Sequence, residues 1–359
     1  QANDDLRGKE ILVAKHKTCS RFLDEYIKKC PNDSLRKLFQ TFTTHFEELS
    51  TDSYASHNVE NLVNETLNRL ELGDEDSLFN ELLASFLTEL TPVAANLADD
   101  QSGSHVIRCI FNSLSRLPNL TTRIDKLARK IIQSFIQNPS KIRSTYFSAT
   151  VQSISSLDQE RFGKLLKYLL SSVSFKLEDL SDKSTSRLIE PLIINMGNSA
   201  ITAIYQQTLT NKENLPSNSL GGAVECAFNP YANYVLQKWL EFCKDPEQLN
   251  VVIKQLMPKV ESLLGRRVQV VVSISRGIIL TDHKLQKKFY DILEKQTDTG
   301  ITKSNFIEFF VYFRPPNGSK ILQNMCYFDK QLTDSLIVNP LFQLGGEKVA
   351  ELSCDMNGS

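Results

Sequence analysis

The chain has 359 residues, 41 basic against 42 acidic side chains, a formal charge of −1 and 41% hydrophobic residues. That composition suits a well-packed protein rather than a disordered one. No apolar run approaches the roughly 20 residues a membrane helix needs, and the start at Gln1 lacks a charged-then-apolar secretory pattern.

One short motif recurs along the chain. Each copy carries a small or polar residue, an edge residue able to hydrogen-bond, a stacking or cationic residue, two mostly apolar residues and a second edge residue. In chain order the copies run from Thr18 to Asp24, Tyr54 to Glu60, Ser102 to Arg108 and Phe147 to Gln152. They continue from Thr185 to Glu190, Asn229 to Gln237, Val268 to Ser273 and Gly318 to Gln323, and Asn357 to Ser359 looks like a ninth copy cut short. First edge residues are separated by 36, 48, 44, 38, 47, 36, 50 and 40 residues. A period of about 40 with insertions marks a helical solenoid.

The flanking sequence predicts helices. Leu87 to Leu97 and Leu256 to Leu264 set apolar residues three and four apart around Pro92 and Pro258, and proline suits a first helical turn better than an interior. Val268 to Ile274 is a β-branched run that resembles a buried strand, yet its place in the period predicts helix. Each repeat then reads as a short helix, a tight connection, a reader helix and a third helix, and neighbours must stack to bury their apolar faces. The expected fold is all-α: a right-handed α-solenoid of three-helix repeats forming one elongated domain over residues 1–359. The ends at Gln1 and Ser359 read as cut edges of a longer chain.

Asn233, Tyr234 and Gln237 sit at i, i+1 and i+4, so their side chains leave one end of one helical face. Two amides that read an edge and one flat ring are what a single unstacked RNA base requires. The stretch resembles the recognition helix of a Pumilio (PUF) repeat. More narrowly, Leu12 to Glu60, Phe79 to Leu114 and Leu256 to Leu293 resemble the nucleolar protein nine family, with Tyr54-Ala55-Ser56-His57 and Gly103-Ser104-His105-Val106 the nearest motif matches. The resemblance implies a C-shaped array with an irregular middle, located in the nucleolus or nucleus. It further implies binding of precursor small-subunit ribosomal RNA, in single-stranded and structured parts, among pre-ribosomal particle proteins. Guarding a cleavage site from a PIN-domain nuclease is the associated activity.

Carried onto this sequence, the RNA-binding set is Ser20, Arg21, Ser56, His57, Glu60, Ser104, His105, Arg108, Ser186, Arg187, Glu190, Asn233, Tyr234, Gln237, Ser319, Lys320 and Gln323. In PUF repeats Asn/Gln pairing suits uracil, and the Ser56/Glu60 and Ser186/Glu190 pairs match the one that suits guanine. Ala149 and Val270 lack a stacking ring, and Val268 to Ser273 reads as packing rather than readout. His57 and His105 can stack or pack, and Arg21 and Arg187 can equally be plain surface charges.

Charge balance runs against a nucleic-acid binder, which ordinarily carries a basic footprint. Segregation would resolve this. Lys238, Arg266 and Arg267 join Arg21, Arg108, Arg187 and Lys320 in or beside reader segments, whereas acidic residues gather from Glu71 to Asp76 and at Asp158 and Glu160. A basic concave groove on a near-neutral whole is the expectation. Seven scattered cysteines read as reduced thiols of a cytosolic or nuclear protein. No glycine-rich phosphate loop, catalytic triad or zinc-ligand spacing is present, so no enzyme, cofactor or metal is expected. A monomer is expected, with a HEAT or armadillo-type protein scaffold and a cytoplasmic PUF regulator of messenger RNA as the competing readings.

Overall fold

The computed structural model describes residues 7–72, 77–154, 157, 177–210, 222–297, 305–312, 316–347 and 349–350. Residues 73–76, Asp158, Glu160, Cys354 and the segment from Asn357 to Ser359 lie outside the described residues. Among those described, regular structure is helical, with no strand, and no helix is long and apolar enough to cross a membrane. The chain divides into two compact units, 1–173 and 174–359.

Eight motif copies lie on helices. In the first unit these are α1 (Cys19–Lys29), α2 (Ala55–Glu71), α3 (Gly103–Ser113) and α4 (Thr145–Ile154). In the second they are α5 (Lys183–Met196), α6 (Ala232–Phe242), α7 (Val268–Gly277) and α8 (Asn317–Met325). Within each unit every reader helix packs on the next in order. The remaining helices back this row. Pro92 lies in the turn between Ser77–Leu90 and Ala94–Leu97, and Pro258 lies in a 3-10 turn just ahead of Val260–Arg266. Each proline thus sits where its missing N–H breaks no helical bond.

Apolar spacing explains the packing. In α6, Val235, Leu236, Trp239 and Leu240 repeat at three- and four-residue intervals and are all buried. The Trp239 Nε1–H donates to the Ile201 carbonyl at 2.9 Å, and the Tyr205 ring stacks on the indole at 6.0 Å. In the first unit Phe46 meets Phe39 and Phe86 edge-on at 5.3 and 4.7 Å. The β-branched run of α7 is helical because Val270, Val271 and Ile274 all reach the core, and burial of about 1.5–3 kcal/mol per side chain exceeds the tenths lost in helix propensity.

The glycine ahead of Ser104 has a steric reason. A Cβ on Gly103 would stand 2.8 Å from the Leu97 carbonyl oxygen, where backbone of the preceding helix crosses the start of α3. Gly103→Ala should therefore destabilise the chain by about 1–3 kcal/mol, although alanine is otherwise the better helix former by about 1 kcal/mol. Urea unfolding measures this; an unchanged or raised midpoint would show that the helix starts can separate freely.

Candidate nucleic-acid interface

The starts of six reader helices, α1 to α6, are closed by a side-chain acceptor four residues before the first edge residue. Asp52 Oδ1 accepts from the Tyr54 and Ala55 N–H groups at 2.8 and 2.9 Å. Asp100 Oδ1 accepts from Gly103 at 2.7 Å, and Asp182 Oδ1 from Ser184 and Thr185 at 2.9 Å each. Asn229 Oδ1 accepts from Tyr231 and Ala232 at 2.8 and 2.9 Å. His16 Nδ1 does the same for Thr18 and Cys19 at 3.3 Å, and Ser144 Oγ for Phe147 at 3.4 Å. These bonds satisfy N–H groups that a helix start leaves open.

With the start fixed, the motif sorts into three depths. The first edge residues Ser20, Ser56, Ser104, Ser186, Asn233 and Ser319 are buried. The hydroxyls of Ser104, Ser186 and Ser319 donate to carbonyls three residues back at 3.0, 3.1 and 2.8 Å, and Ser20 makes a longer bond of 3.4 Å. Asn233 Nδ2 donates to the Asn229 carbonyl at 2.7 Å, while Gln237 Nε2 donates to Asn233 Oδ1 at 2.9 Å, joining two amides into one edge. The stacking positions Arg21, His57, His105, Arg187, Tyr234 and Lys320 are exposed. The second edge positions Glu60, Arg108, Glu190 and Gln237 are half-buried, and Gln323 is exposed.

In the first unit these positions meet electrostatically. Glu60 Oε1 is buried without a hydrogen-bond partner, with His57 Nδ1 3.8 Å away. Burial pushes the Glu60 carboxyl up, His57 and Arg108 oppose this, and Asp24 adds to it. Burial, then Arg108 and His57, lower the His105 imidazole, which favours the uncharged ring. Asp24 is held by Asn58 and Asn61 of the next repeat at 2.5 and 2.7 Å, and Arg108 Nε donates to the Ser104 carbonyl at 3.2 Å. Glu60 is thus the acceptor here that a ligand N–H could satisfy.

In the second unit α5–α8 border an open groove of about 390 Å³ that includes Glu190, Tyr234, Gln237, Gln269, Lys320 and Gln323. A second cleft of about 390 Å³ lies between Arg187 and Tyr234, with Ser186, Glu190 and Tyr231 beside them. Burial raises the Glu190 carboxyl, against the pull of Lys238 and Arg187. The lining is mixed in sign rather than uniformly basic: Lys183, Arg187, Lys238, Arg276 and Lys320 outnumber Glu190 and Glu241. Arg266 and Arg267 do not line either space. Among the described residues no group of His, Cys, Asp and Glu could hold a metal.

The register of α7 differs from expectation by one residue. Spacing places Gln269 first, Val270 at the stacking position and Ser273 at the second edge, but Val270 is fully buried and Gln269 is exposed. Gln269 and Val272 line the groove as Tyr234/Gln237 and Lys320/Gln323 do, so Val268, Gln269 and Val272 occupy the three positions. An apolar residue stands at both edge positions, and this repeat has no edge reader. Tyrosines two residues before the first edge residue were given no role by the sequence reading: Tyr54, Tyr146 and Tyr231 are 37%, 37% and 36% exposed. Their constant offset was the signal for them, as it was for the capping acceptors.

The family described as the NOP9-like PUF repeat domain matches residues 8–134 and 118–359. Nucleolar protein 9 of Candida glabrata is 27% identical over 190 residues, covering 48% of this chain and 26% of that protein. Nucleolar protein 9 of Candida albicans is 27% identical over 161 residues, covering 36% and 22%. The matched part therefore spans about a quarter of these curated relatives. Among solved structures, APUM23 lacking its insert region, with GGAAUUGACGG, superposes with a TM-score of 0.79 at 19% identity, over 99% of this chain and 75% of that one. PUF-8 in complex with PBE-RNA gives 0.61 at 13%, over 99% and 93%. At these identities the likeness is one of fold, the PUF repeat solenoid.

The capping acceptor yields a stability test. Asp182→Ala should cost about 1 kcal/mol, within the 0.5–2 kcal/mol of helix caps, whereas Asp182→Asn keeps an acceptor and most of the stability. Denaturant midpoints of the two variants decide this; equal losses would mean that charge, not the bond to the Ser184 and Thr185 N–H groups, holds the helix start.

Proposed function

The chain belongs to the NOP9-like PUF repeat family, and from that membership together with its reader faces we propose that it binds single-stranded RNA, with precursor small-subunit ribosomal RNA as its target. One observation carries the reading. Tyr234 stands 52% exposed beside the joined Asn233–Gln237 amides and across a cleft from Arg187. A flat ring held open to solvent next to a fixed polar edge suits a base that stacks and hydrogen-bonds at once. Glu60 offers a second such edge.

Relatives named nucleolar protein 9 support a place in the nucleolus or nucleus; the role we propose there is to guard or guide RNA processing among pre-ribosomal particle proteins. The chain acts as a monomer and does no chemistry on the RNA; its work is occupancy. Residues 1–359 serve as one repeat domain, consistent with a family match that crosses residue 173. Crosslinking in cells followed by sequencing tests the target. Reads concentrated on precursor small-subunit RNA carry the proposal, and reads concentrated on messenger RNA would favour a PUF regulator instead.

Tyr234→Ala should weaken binding of GGAAUUGACGG, the RNA solved with APUM23, by about 1–3 kcal/mol, the worth of one base–aromatic stack. Its thermal midpoint should stay put because half the ring is already in solvent. Unfolding with residual affinity intact would make the tyrosine a packing residue.

Glu60→Gln should separate stability from binding. The folded carboxyl lies above its unfolded value of 4.5, so the ionised form destabilises the fold, and this loss grows as pH rises from 4.5 through the folded value. Removing the charge should raise the thermal midpoint at neutral pH and leave it unchanged in acid, while RNA affinity falls because one of the two acceptor oxygens becomes an N–H donor. Opposite signs in the two measurements fit a groove-facing reader; a raised midpoint with unchanged affinity would not.

A further inference from the structure

Lys238, Glu241 and Arg276 form an ion triad on the wall of the second unit's groove. Glu241 Oε2 lies 2.9 Å from Lys238 Nζ on the same helix, and Glu241 Oε1 lies 2.6 Å from Arg276 Nη1 on α7. Glu241 gains little for the fold from this position. It occupies the last turn of α6, where unpaired carbonyls make the helix end negative and disfavour a carboxylate. Its partners are 35% and 57% exposed, and ion pairs that open to water add little stability. What the carboxylate does do is occupy two cations beside the Gln237 and Val272 positions. Lys and Arg present the same donors to a phosphate as to a carboxylate.

We infer that Glu241 is an internal competitor for RNA phosphate: it holds Lys238 and Arg276 in the free protein, and a bound strand displaces it from them. This rests on the RNA reading above. Contacts to phosphate are blind to sequence, whereas contacts at Tyr234 and Gln237 are made to bases. A competitor at the cations lowers affinity for every RNA alike and leaves base contacts to carry the discrimination.

Fluorescence anisotropy with GGAAUUGACGG and with oligouridine of the same length, across a salt series, tests this on the unaltered chain, E241Q, R276A, the E241Q/R276A double variant, E247Q and Y234A. Glu247 lies exposed in the first turn of Pro246–Leu256, off the groove lining, so E247Q measures the bare effect of removing one negative charge. E241Q should tighten both RNAs by the same factor, about fivefold at 0.1 M salt for each cation freed, and steepen the salt slope by about 0.7 per cation. E247Q should change affinity by less than about twofold, because Glu247 is exposed, does not line the groove and is screened by salt. R276A should lose more affinity in the E241Q background than in the unaltered chain.

Unchanged or weaker binding by E241Q with its thermal midpoint retained, or a gain no larger than that of E247Q, overturns the inference. If E241Q does not fold, E241D takes its place, since the shorter side chain cannot span both cations; tighter binding supports competition and unchanged binding refutes it. Weakened binding by Y234A with no gain in E241Q refutes the competitor alone. Absence of RNA binding by the unaltered chain refutes the reading beneath it.

Discussion

In α1 to α6 an acceptor four residues ahead of the first edge residue, as Asp182 stands ahead of Ser186, sets where the reader helix starts and so how it is turned about its axis. That phase governs every later position. Val235, Leu236, Trp239 and Leu240 of α6 then point into the core. Tyr234, Gln237, Lys238 and Glu241 are left to the groove, and Gln269, Val272, Ser273 and Arg276 of α7 fall at the same offsets. A helix rotated by one residue, about 100°, would bury its ring and expose its apolar row. The close approach of the short helix Ala94–Leu97 to the start of α3 lies at the same place, where Gly103 meets the Leu97 carbonyl.

Pairing of charge reconciles a formal charge of −1 with the cations that line the second unit's groove. Lys238 answers both Glu190 and Glu241, Arg276 answers Glu241, and His57 lies near Glu60. The cations are at the reading face, but carboxylates hold them there. Net charge alone therefore understates what the surface can offer a phosphate, since an ion pair at the surface is exchangeable at small cost.

Helices, their spacing and the exposed face of the reader helices were legible because burial repeats with the motif. The β-branched run of α7 was rightly placed in a helix, yet its phase slipped by one. Val268 to Val272 has valine at four of five positions, so apolar spacing fits two rotations equally, and Leu264 stands where other repeats carry a capping acceptor. Burial of Ser104 and Ser186 was hidden for another reason. A serine looks solvent-facing by type, but its hydroxyl can be satisfied by a carbonyl of its own helix. Glu241 could not be paired with Arg276 from spacing, since the contact crosses from one repeat to the next and depends on the rotation of both helices.

Photocrosslinking of single-stranded RNA to the chain, with the attached peptides identified by mass spectrometry, tests the central claim that one face of the reader helices meets the bases. Attachment is expected at exposed stacking positions such as His57, His105, Tyr234, Gln269 and Lys320. Attachment concentrated on the backing helices, such as Thr121–Gln137 or Pro246–Leu256, would contradict it.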